Sequence, residues 1–361
     1  MDNMPKFKYQ DLVQAILAKI KDGTFPYNSK LPSEAEFCSE FSVSRQTVRN
    51  ALKQLANDGY IYSVKGSGSF VNMSARPRKK KIGVMFTTVA GYICSDILNG
   101  LENVFTKNGY SIQLELSHDR CDFETRFLQK MCNSNVSGII IEASKSNFPT
   151  PNAALFRQLD ELRIPYVFVN GYYRNVPCNA VVWEDENVAY QMTTRLIKAG
   201  HRKIGCIFRF DEMQGAHRYL GYTRALIEND IEINNDIICW YHDTIENSCV
   251  KPLQTVLIEK FIDQLSDNCT ALVCYNDLIA GIVINRLQMN NIKIPEQISI
   301  VSFDNSDLVK LFSLKGFYSF EHPKNEIGHV AAKRLLHLIK HPDDNERQIL
   351  MVKSPQSGLE D

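Results

Sequence analysis

The 361-residue sequence has no uninterrupted apolar run of about 18 residues, the length that a membrane-spanning helix requires. Its first ten residues are polar and lack the apolar segment of a secretory signal peptide, so we expect a cytoplasmic protein without a membrane partner. The ten cysteines form no C-x-x-C pair, and no histidine cluster has zinc-binding spacing. We therefore predict no metal site.

Motifs of common enzyme classes are also missing. The sequence has no G-x-G-x-x-G after a strand, no P-loop and no G-x-S-x-G elbow. His118, His201 and His322 have no evident nucleophile as a partner, although the sequence does not tell which residues meet in space. We predict no catalytic residue and no cofactor, with a phosphorylase or dehydrogenase as the alternative.

Positive charge is concentrated at the N-terminus of a chain with zero net charge. Residues 1–81 contain 14 lysines and arginines against 7 acidic residues, whereas the remainder has 27 against 34. Such an asymmetry suits a nucleic-acid-binding head on a body that does not bind nucleic acid, and a solvated charged face is the alternative. The length and a 44% hydrophobic content predict two or three domains with proper cores.

Three helices are predicted before residue 60. Apolar residues recur at helical spacing from Tyr9 to Ile20, and Ser33 to Glu36 has the pattern of a capping box that opens a second helix. Ser44 is a suitable cap for a third helix over 45–58. The first turns of that helix carry Arg45, Gln46 and Arg49, side chains that pair with guanine, adenine or phosphate in the major groove. A solvated face on a three-helix bundle is the other interpretation.

A β-hairpin is predicted directly after the third helix. Two short strands, 60–64 and 69–72, flank the sequence Lys-Gly-Ser-Gly at 65–68, and glycines permit the positive φ that such turns need. A hairpin at this place is typical of a wing that contacts the minor groove. The segment LPSEAEFCSEFSVSRQTVRNALKQLANDGYIYSVKGSGSFV resembles the DNA-binding domain of the GntR family throughout. The resemblance implies DNA contacts at the third helix and the wing, and the predicted set is Lys30, Ser33, Ser44, Arg45, Gln46, Thr47, Arg49, Lys65, Gly66 and Ser67.

Short apolar runs predict strands at 82–86, 112–116, 138–142, 166–170, 204–208, 272–275 and 300–303, separated by helical patterns. The alternation of strands and helices starts again near residue 204. This alternation predicts parallel sheets in two doubly wound lobes with a ligand cleft between them. The predicted fold is therefore a multidomain one, with an N-terminal winged helix-turn-helix (1–72), a basic linker (73–81) and an α/β core of two doubly wound parallel-sheet lobes (82–361). We assign 82–184 and 308–340 to the first lobe, and 185–305 and 345–361 to the second.

Polar side chains recur at the carboxyl ends of the predicted strands, where parallel sheets bind ligands. Planar amides and carboxylates can bridge neighbouring sugar hydroxyls, which favours a sugar, although a single residue of this kind is more often a helix cap. The predicted effector contacts are Tyr92, Glu142, Lys145, Asn170, Asp211, Gln214, Arg218, Asn276 and Asp304.

Residues 82–340 resemble the effector-binding core of the LacI family, which implies an α/β periplasmic-binding-protein-like fold for the body. The landmarks are Gly-His-Arg-Lys-Ile at 200–204, Tyr-Asn-Asp at 275–277 and Ile-Ser-Ile-Val-Ser-Phe-Asp at 298–304. The resemblance implies sugar contacts at Arg218, Asn276 and Asp304, and Asp277 is expected to cap its helix.

A GntR-type head on a LacI-type body resembles the arabinose-responsive repressors, which implies L-arabinose as the effector. Further landmarks are Tyr92-Ile93, the segments 142–146 and 150–152, Gln214-Gly215, and His322-Pro323-Lys324. We expect a homodimer that binds double-stranded operator DNA and leaves it when the sugar binds. A response to another pentose or hexose, or a sugar-modulated activator, is the alternative.

Overall fold

The fold is taken from a computed structural model, which describes residues 9–64, 66–72, 80–88, 92–242, 252–265, 269–309 and 317–354, apart from the side chains of Lys21 and Tyr92. Within these residues, no helix combines the length and the apolarity that crossing a membrane would need.

The N-terminal unit contains three helices and a two-stranded antiparallel sheet. They are α1 (Tyr9–Lys21), α2 (Glu34–Phe41), α3 (Arg45–Asn57), β1 (Ile61–Val64) and β2 (Gly68–Val71). Apolar residues spaced along α1 and α3 form a core of their own, in which Leu12, Ile16, Phe37, Val48 and Leu55 are fully buried. The predicted helices, their caps and the hairpin are therefore all present.

The first sheet of the body has six parallel strands in the order β13-β7-β6-β5-β3-β4. Central strands are buried on both faces, as their continuous apolar sequences require. The strands are β3 (Lys81–Phe86), β4 (Ser111–Leu116), β5 (Gly138–Ile141), β6 (Tyr166–Val169), β7 (Asn179–Trp183) and β13 (Ile349–Val352). The helices of this lobe are α4 (Tyr92–Lys107), α5 (Cys121–Asn133), α6 (Ala153–Glu161) and α11 (Lys324–Lys340).

The second sheet has five parallel strands in the order β12-β11-β10-β8-β9. These strands are β8 (Ile204–Arg209), β9 (Ile238–Tyr241), β10 (Ala271–Cys274), β11 (Ser299–Asp304) and β12 (Tyr318–Glu321). The helices are α7 (Asp185–Lys198), α8 (Met213–Ile227), α9 (Leu253–Gln264) and α10 (Asp277–Met289), with a 3₁₀ turn at Asn235–Ile237.

Two parts of the predicted lobe division are wrong. β12 pairs with β11 and so belongs to the second lobe, although 308–340 was assigned to the first. β13 pairs with β7 and so belongs to the first lobe, although 345–361 was assigned to the second. The sequence patterns of β12 and β13 do not tell which sheet edge each of these late strands joins.

Three chain segments meet where the lobes connect. The chain leaves the first lobe after Trp183 and returns after Glu321. Ser354 links both points, because its hydroxyl accepts a hydrogen bond from Trp183 Nε1 (3.0 Å) and donates one to the carbonyl oxygen of Glu321 (2.9 Å). Ser354 therefore ties the C-terminal segment to both crossings.

Candidate DNA-binding surface and effector cleft

The helices of the head begin at capped positions, which fixes the register of their exposed faces. The Ser33 hydroxyl accepts from the Glu36 amide (3.3 Å), and Glu36 Oε2 accepts from the Ser33 amide (2.6 Å), a complete capping box. The Ser44 hydroxyl accepts from the Thr47 amide (3.2 Å) and caps α3. The Ser44 hydroxyl also lies 2.9 Å from the Thr47 hydroxyl, so both side chains make hydrogen bonds at the start of α3.

The predicted recognition face of α3 is exposed. Arg45, Gln46 and Arg49 are all accessible, and Gln46 donates to Asn50 Oδ1 (3.1 Å). Arg49 Nε donates to both oxygens of Glu34 (3.0 Å each), although its side chain is still 61% exposed. The ion pair ties α3 to α2, and Arg45 in the first turn of α3 is also exposed.

The wing turn lies beside a lysine from the segment before α2. Gly66 (φ +82°) and Gly68 (φ +107°) have the backbone conformation that favours glycine, and a Cβ on Gly68 would be 3.0 Å from Lys30 Cε. Ser67 is exposed, and its amide donates to the Val64 carbonyl oxygen (2.9 Å). The structure thus places Lys30, Gly66 and Ser67 together, whereas Lys65 lies outside the described residues.

The carboxyl ends of the two parallel sheets face each other across an ionic network. Lys145 follows β5 in the first lobe, and its Nζ lies 2.7 Å from Asp211 Oδ2, which follows β8 in the second lobe. Asp119 of the first lobe accepts a hydrogen bond from the Lys145 amide (2.9 Å) and forms an ion pair with Arg209 of the second lobe. Arg209 Nε also donates to Asp211 Oδ1 (2.7 Å). Two predicted effector residues, Lys145 and Asp211, are therefore partners across the cleft.

Burial and ion pairing set the protonation states in this network. Burial opposes ionisation of Asp211, but hydrogen bonds from Arg209 and then Lys145 outweigh it and lower the pKa of Asp211. Glu212 is different, because burial raises its pKa to about 7 even though Arg209 Nη1 lies 2.8 Å away. Glu212 also accepts a hydrogen bond from Tyr275, at the end of β10. The network thus contains one carboxyl group that titrates near neutrality.

Arg218 lies at the floor of the second-lobe side of the cleft. It is 3% exposed, its Nε donates to Asp185 Oδ1 (2.8 Å), and its Nη1 donates to the Tyr275 carbonyl oxygen. Its guanidinium carbon lies 4.2 Å from the centre of the Phe303 ring. Burial by itself would lower the pKa of Arg218, but the Asp185 carboxylate raises it above its ordinary value. Arg218 is thus a buried cation that is held by Asp185 and lies over the Phe303 ring.

A second polar group belongs to the first lobe. Glu142 accepts hydrogen bonds from the Thr87 amide (2.9 Å) and hydroxyl (2.8 Å), and from Asn170 Nδ2 (2.7 Å). Asn170 is 5% exposed, and its Oδ1 has no hydrogen-bond partner within the described part of the chain. A Cβ on Gly171 would be 3.6 Å from Gln214 Oε1, which reaches over from α8. A buried acceptor at this place suits a ligand hydroxyl.

Asn276 and Asp304, two further predicted effector contacts, make hydrogen bonds within the protein. Asn276 Oδ1 accepts from the Ile279 amide (3.0 Å) and caps α10, so the expectation that Asp277 caps this helix is wrong. Asp277 is instead fully buried and accepts hydrogen bonds from Ser306 and two other serines. The carbonyl oxygen of Asp304 accepts from Lys324 Nζ (2.7 Å). Tyr92 begins α4, and its side chain lies outside the described part.

The structure adds residues to the set of effector contacts that the sequence predicts. Asp119, Arg209, Glu212 and Tyr275 complete the ionic network, and Asp185 holds Arg218. His322 is 5% exposed, its ring centre is 4.5 Å from that of Trp183, and burial lowers its pKa well below the ordinary value. Arg209 was detectable as a charged residue at the end of an apolar strand, but its partners are distant in sequence.

Two family descriptions match the chain. "Bacterial regulatory proteins, gntR family" matches residues 8–71, and "Periplasmic binding protein-like domain" matches residues 193–356. These matches and the two parallel sheets confirm the predicted fold class. The crystal structure of the transcription regulator CcpA of Lactococcus lactis has the same body fold, with a TM-score of 0.65, 22% identity and coverage of 76% of this chain and 96% of that chain.

Two relatives are similar over nearly the whole length. The arabinose metabolism transcriptional repressor of Geobacillus stearothermophilus is 33% identical, over 92% of this chain and 91% of the relative. The protein of the same name from Halalkalibacterium halodurans is 32% identical, over 92% of this chain and 89% of the relative. The similarity therefore includes head and body together.

Proposed function

Because the chain belongs to the family of the arabinose metabolism transcriptional repressors, we propose that it represses carbohydrate utilisation genes, with L-arabinose as the effector that releases it from operator DNA. A regulator of this family is not an enzyme. The head that matches the gntR family supplies the DNA-binding surface, and the two-lobed body supplies a cleft for a sugar. Binding to DNA implies a cytoplasmic location.

The observation that carries this proposal is the ionic network across the cleft. Lys145 and Asp119 of one lobe pair with Asp211 and Arg209 of the other, so the lobes are held together by groups that also bind hydroxyls well. A sugar placed among these groups would exchange contacts between the lobes for contacts to itself. The relative position of the lobes is then coupled to occupancy.

The proposed sugar contacts are divided between the lobes. Glu142, Lys145 and Asn170 contribute from the first lobe, and Asp211, Gln214 and Arg218 from the second. Asn170 Oδ1 supports this assignment, because a buried acceptor without a partner is costly unless a ligand donates to it. Tyr92, Asn276 and Asp304 complete the proposed set. In Asn276 the amide nitrogen is the group for the sugar, since its oxygen caps α10.

The DNA-binding state is proposed to be a homodimer with one head on each half-site. We divide the chain into a head (1–72), a linker (73–81) and a body (82–361) that senses the sugar and dimerises. Operators read by such dimers have half-sites about one helical turn apart, so a small change in body geometry moves the heads out of register. A coupling of about 1–3 kcal/mol would weaken DNA binding roughly 5- to 150-fold.

The test is a pair of titrations on the full-length protein. Calorimetry with L-arabinose, other pentoses and hexoses identifies the sugar, and fluorescence anisotropy with a labelled operator duplex follows release. We expect L-arabinose to bind most tightly and to weaken operator binding at saturation. Release by a different sugar alone contradicts the arabinose assignment, and tighter operator binding with sugar would indicate an activator. Operator occupancy that no sugar changes contradicts the proposed regulation.

A further inference from the structure

A groove outside the cleft lies between α4 and α11 on the first lobe. The two helices approach closely where Gly100 and Gly328 lie, since a Cβ on either glycine would overlap the backbone of the other helix. Toward the C-terminal ends of both helices the groove has a volume of about 520 Å³, with Val104 and Leu336 among its lining residues. Nothing in the proposed sugar response uses this groove.

The lining of the groove is strongly basic. Three lysines (Lys107, Lys333, Lys340) and three histidines (His329, His337, His341) line it, and the described residues place no carboxylate among the lining side chains. Asp344 lies beside the groove, where it accepts from His337 Nε2 (3.1 Å) and pairs with Arg334 (3.2 Å). All three lysines are exposed, and no ion pair is found for them among the described residues. Such a surface favours an anion with several negative charges.

The position of the groove relates it to the head. Lys80 Nζ lies 3.4 Å from the carbonyl oxygen of Asn108, a residue of the groove, and Lys81 begins β3. The groove is thus at the end of the first sheet where the chain arrives from the DNA-binding unit. Eight peptide units separate Asn72 from Lys80, which limits their distance to about 28 Å at about 3.5 Å per residue. This distance is shorter than one turn of B-DNA, which is about 34 Å. The groove can therefore reach DNA that lies next to a half-site bound by the head.

We propose that this groove binds backbone phosphates of operator DNA that flank the half-site held by the head. Lysines act as point charges on phosphates, and such contacts position a protein without reading sequence. The body would then add affinity and orientation to the complex that the head specifies. This inference rests on the proposed function as a DNA-binding repressor.

The test compares two triple variants on two duplexes. The groove variant is Lys107→Gln, Lys333→Gln and Lys340→Gln, and the control carries the same charge change on exposed lysines of the second lobe, Lys198→Gln, Lys260→Gln and Lys293→Gln. One duplex is trimmed to the footprint of the heads, and the other is extended by about 15 base pairs on each side. Affinities are measured by anisotropy over a range of salt concentrations.

We expect the groove variant to bind the extended duplex about tenfold more weakly than the parent and the trimmed duplex equally well. On the extended duplex, the logarithm of the affinity falls with the logarithm of the salt concentration. The steepness of this fall should be smaller by about 0.9 for each phosphate that the variant no longer neutralises. Equal weakening on both duplexes, or weakening in the control alone, overturns the proposal. Binding of inorganic phosphate to the groove without any effect of flanking DNA also overturns it in favour of a small-anion site. If L-arabinose fails to release the parent from the trimmed duplex, the proposed effector fails, and the groove comparison is unaffected.

Discussion

Lys145 Nζ lies 2.7 Å from Asp211 Oδ2, and these two residues join opposite lobes of the body. The Lys145 side chain is 36% exposed and that of Asp211 is 2% exposed, so the pair lies at the rim of the interface between the lobes. Arg209 and Asp119 continue the contact inward. An arrangement of this kind lets one ligand act on both lobes at once.

Replacement of Lys145 should weaken sugar binding. Lys145→Met removes the cation that bridges Asp119 and Asp211, and we expect the affinity for L-arabinose to fall about tenfold, or about 1.4 kcal/mol. Calorimetry on the purified variant measures the change. Lys130→Met is the control, because Lys130 forms an ion pair with Glu115 (2.6 Å) far out on the surface, where such pairs contribute little. Equal affinities for L-arabinose in both variants would contradict the assignment of Lys145 as a sugar contact.

Arg218 should be needed for both stability and sugar release. Arg218→Ala leaves Asp185 buried and unpaired, and we expect the free energy of unfolding of the body to fall by about 3 kcal/mol. The double variant Arg218→Met, Asp185→Asn removes both charges and should recover part of that stability. It should still stay on the operator in the presence of sugar. Denaturant unfolding and anisotropy separate the two effects, and normal release by the double variant would falsify the proposed role of Arg218.

The exposed arginines of α3 should control operator affinity independently of the sugar. Arg45→Ala and Arg49→Ala should each weaken operator binding by about 1–3 kcal/mol, while calorimetry shows unchanged L-arabinose affinity. Arg126→Ala removes a similarly exposed arginine from α5 of the body and is the control. If both helix variants match the parent in operator footprinting, the assignment of α3 as the recognition helix is wrong.

Strands in the middle of each sheet were predictable, and most of the strands missed lie at the edges. Gly138–Ile141 and Tyr166–Val169 are continuous apolar runs because both faces of these strands are buried. β9, β12 and β13 are edge strands with partly exposed side chains. Of these, only β12, Tyr-Ser-Phe-Glu, lacks a continuous apolar run, whereas β9 (Ile-Cys-Trp-Tyr) and β13 (Ile-Leu-Met-Val) were missed although they have one. β7 was also missed, although Asn179–Trp183 is fully buried.

The cleft was predictable as a location but not as a network. Parallel strands bring their carboxyl ends to one edge, which is why Lys145 and Asp211 were expected near a ligand. Their pairing with each other, and with Asp119 and Arg209, joins residues up to 90 positions apart and has no local sequence signal. The head was predictable in more detail, because capping boxes and turn glycines depend on residues only three or four positions apart.

Glu212 should make the stability of the body depend on pH. Its pKa is raised from 4.5 to about 7 by burial, so the folded state binds a proton that the unfolded chain has already lost between these values. Protonated Glu212 therefore stabilises the folded state fully below pH 4.5, and this stabilisation is lost as the pH rises to about 7. The free energy of unfolding should fall by about 1–3 kcal/mol over that range. Urea unfolding followed by the combined fluorescence of Trp183 and Trp240 at pH 5, 6, 7 and 8 measures it.

Glu212→Gln should abolish most of that dependence, because the amide does not titrate. Glu102→Gln, on an exposed position of α4, should leave it intact. An equally steep decline in the stability of the Glu212→Gln variant between pH 5 and 7 would assign the effect to other groups.

Ser354 should couple the C-terminal segment to lobe movement. Ser354→Ala deprives Trp183 Nε1 of its acceptor, and an unsatisfied buried donor costs about 1–3 kcal/mol. The cost falls on the connection between the lobes and not on any predicted sugar contact. We therefore expect nearly unchanged L-arabinose affinity but a smaller ratio of operator affinities without and with sugar, measured by anisotropy. Ser354→Thr keeps a hydroxyl and should restore the ratio. If Ser354→Ala has the parental ratio, the hydrogen bonds at the crossing do not transmit the sugar signal, and lobe movement must be coupled to the heads by contacts elsewhere in the body.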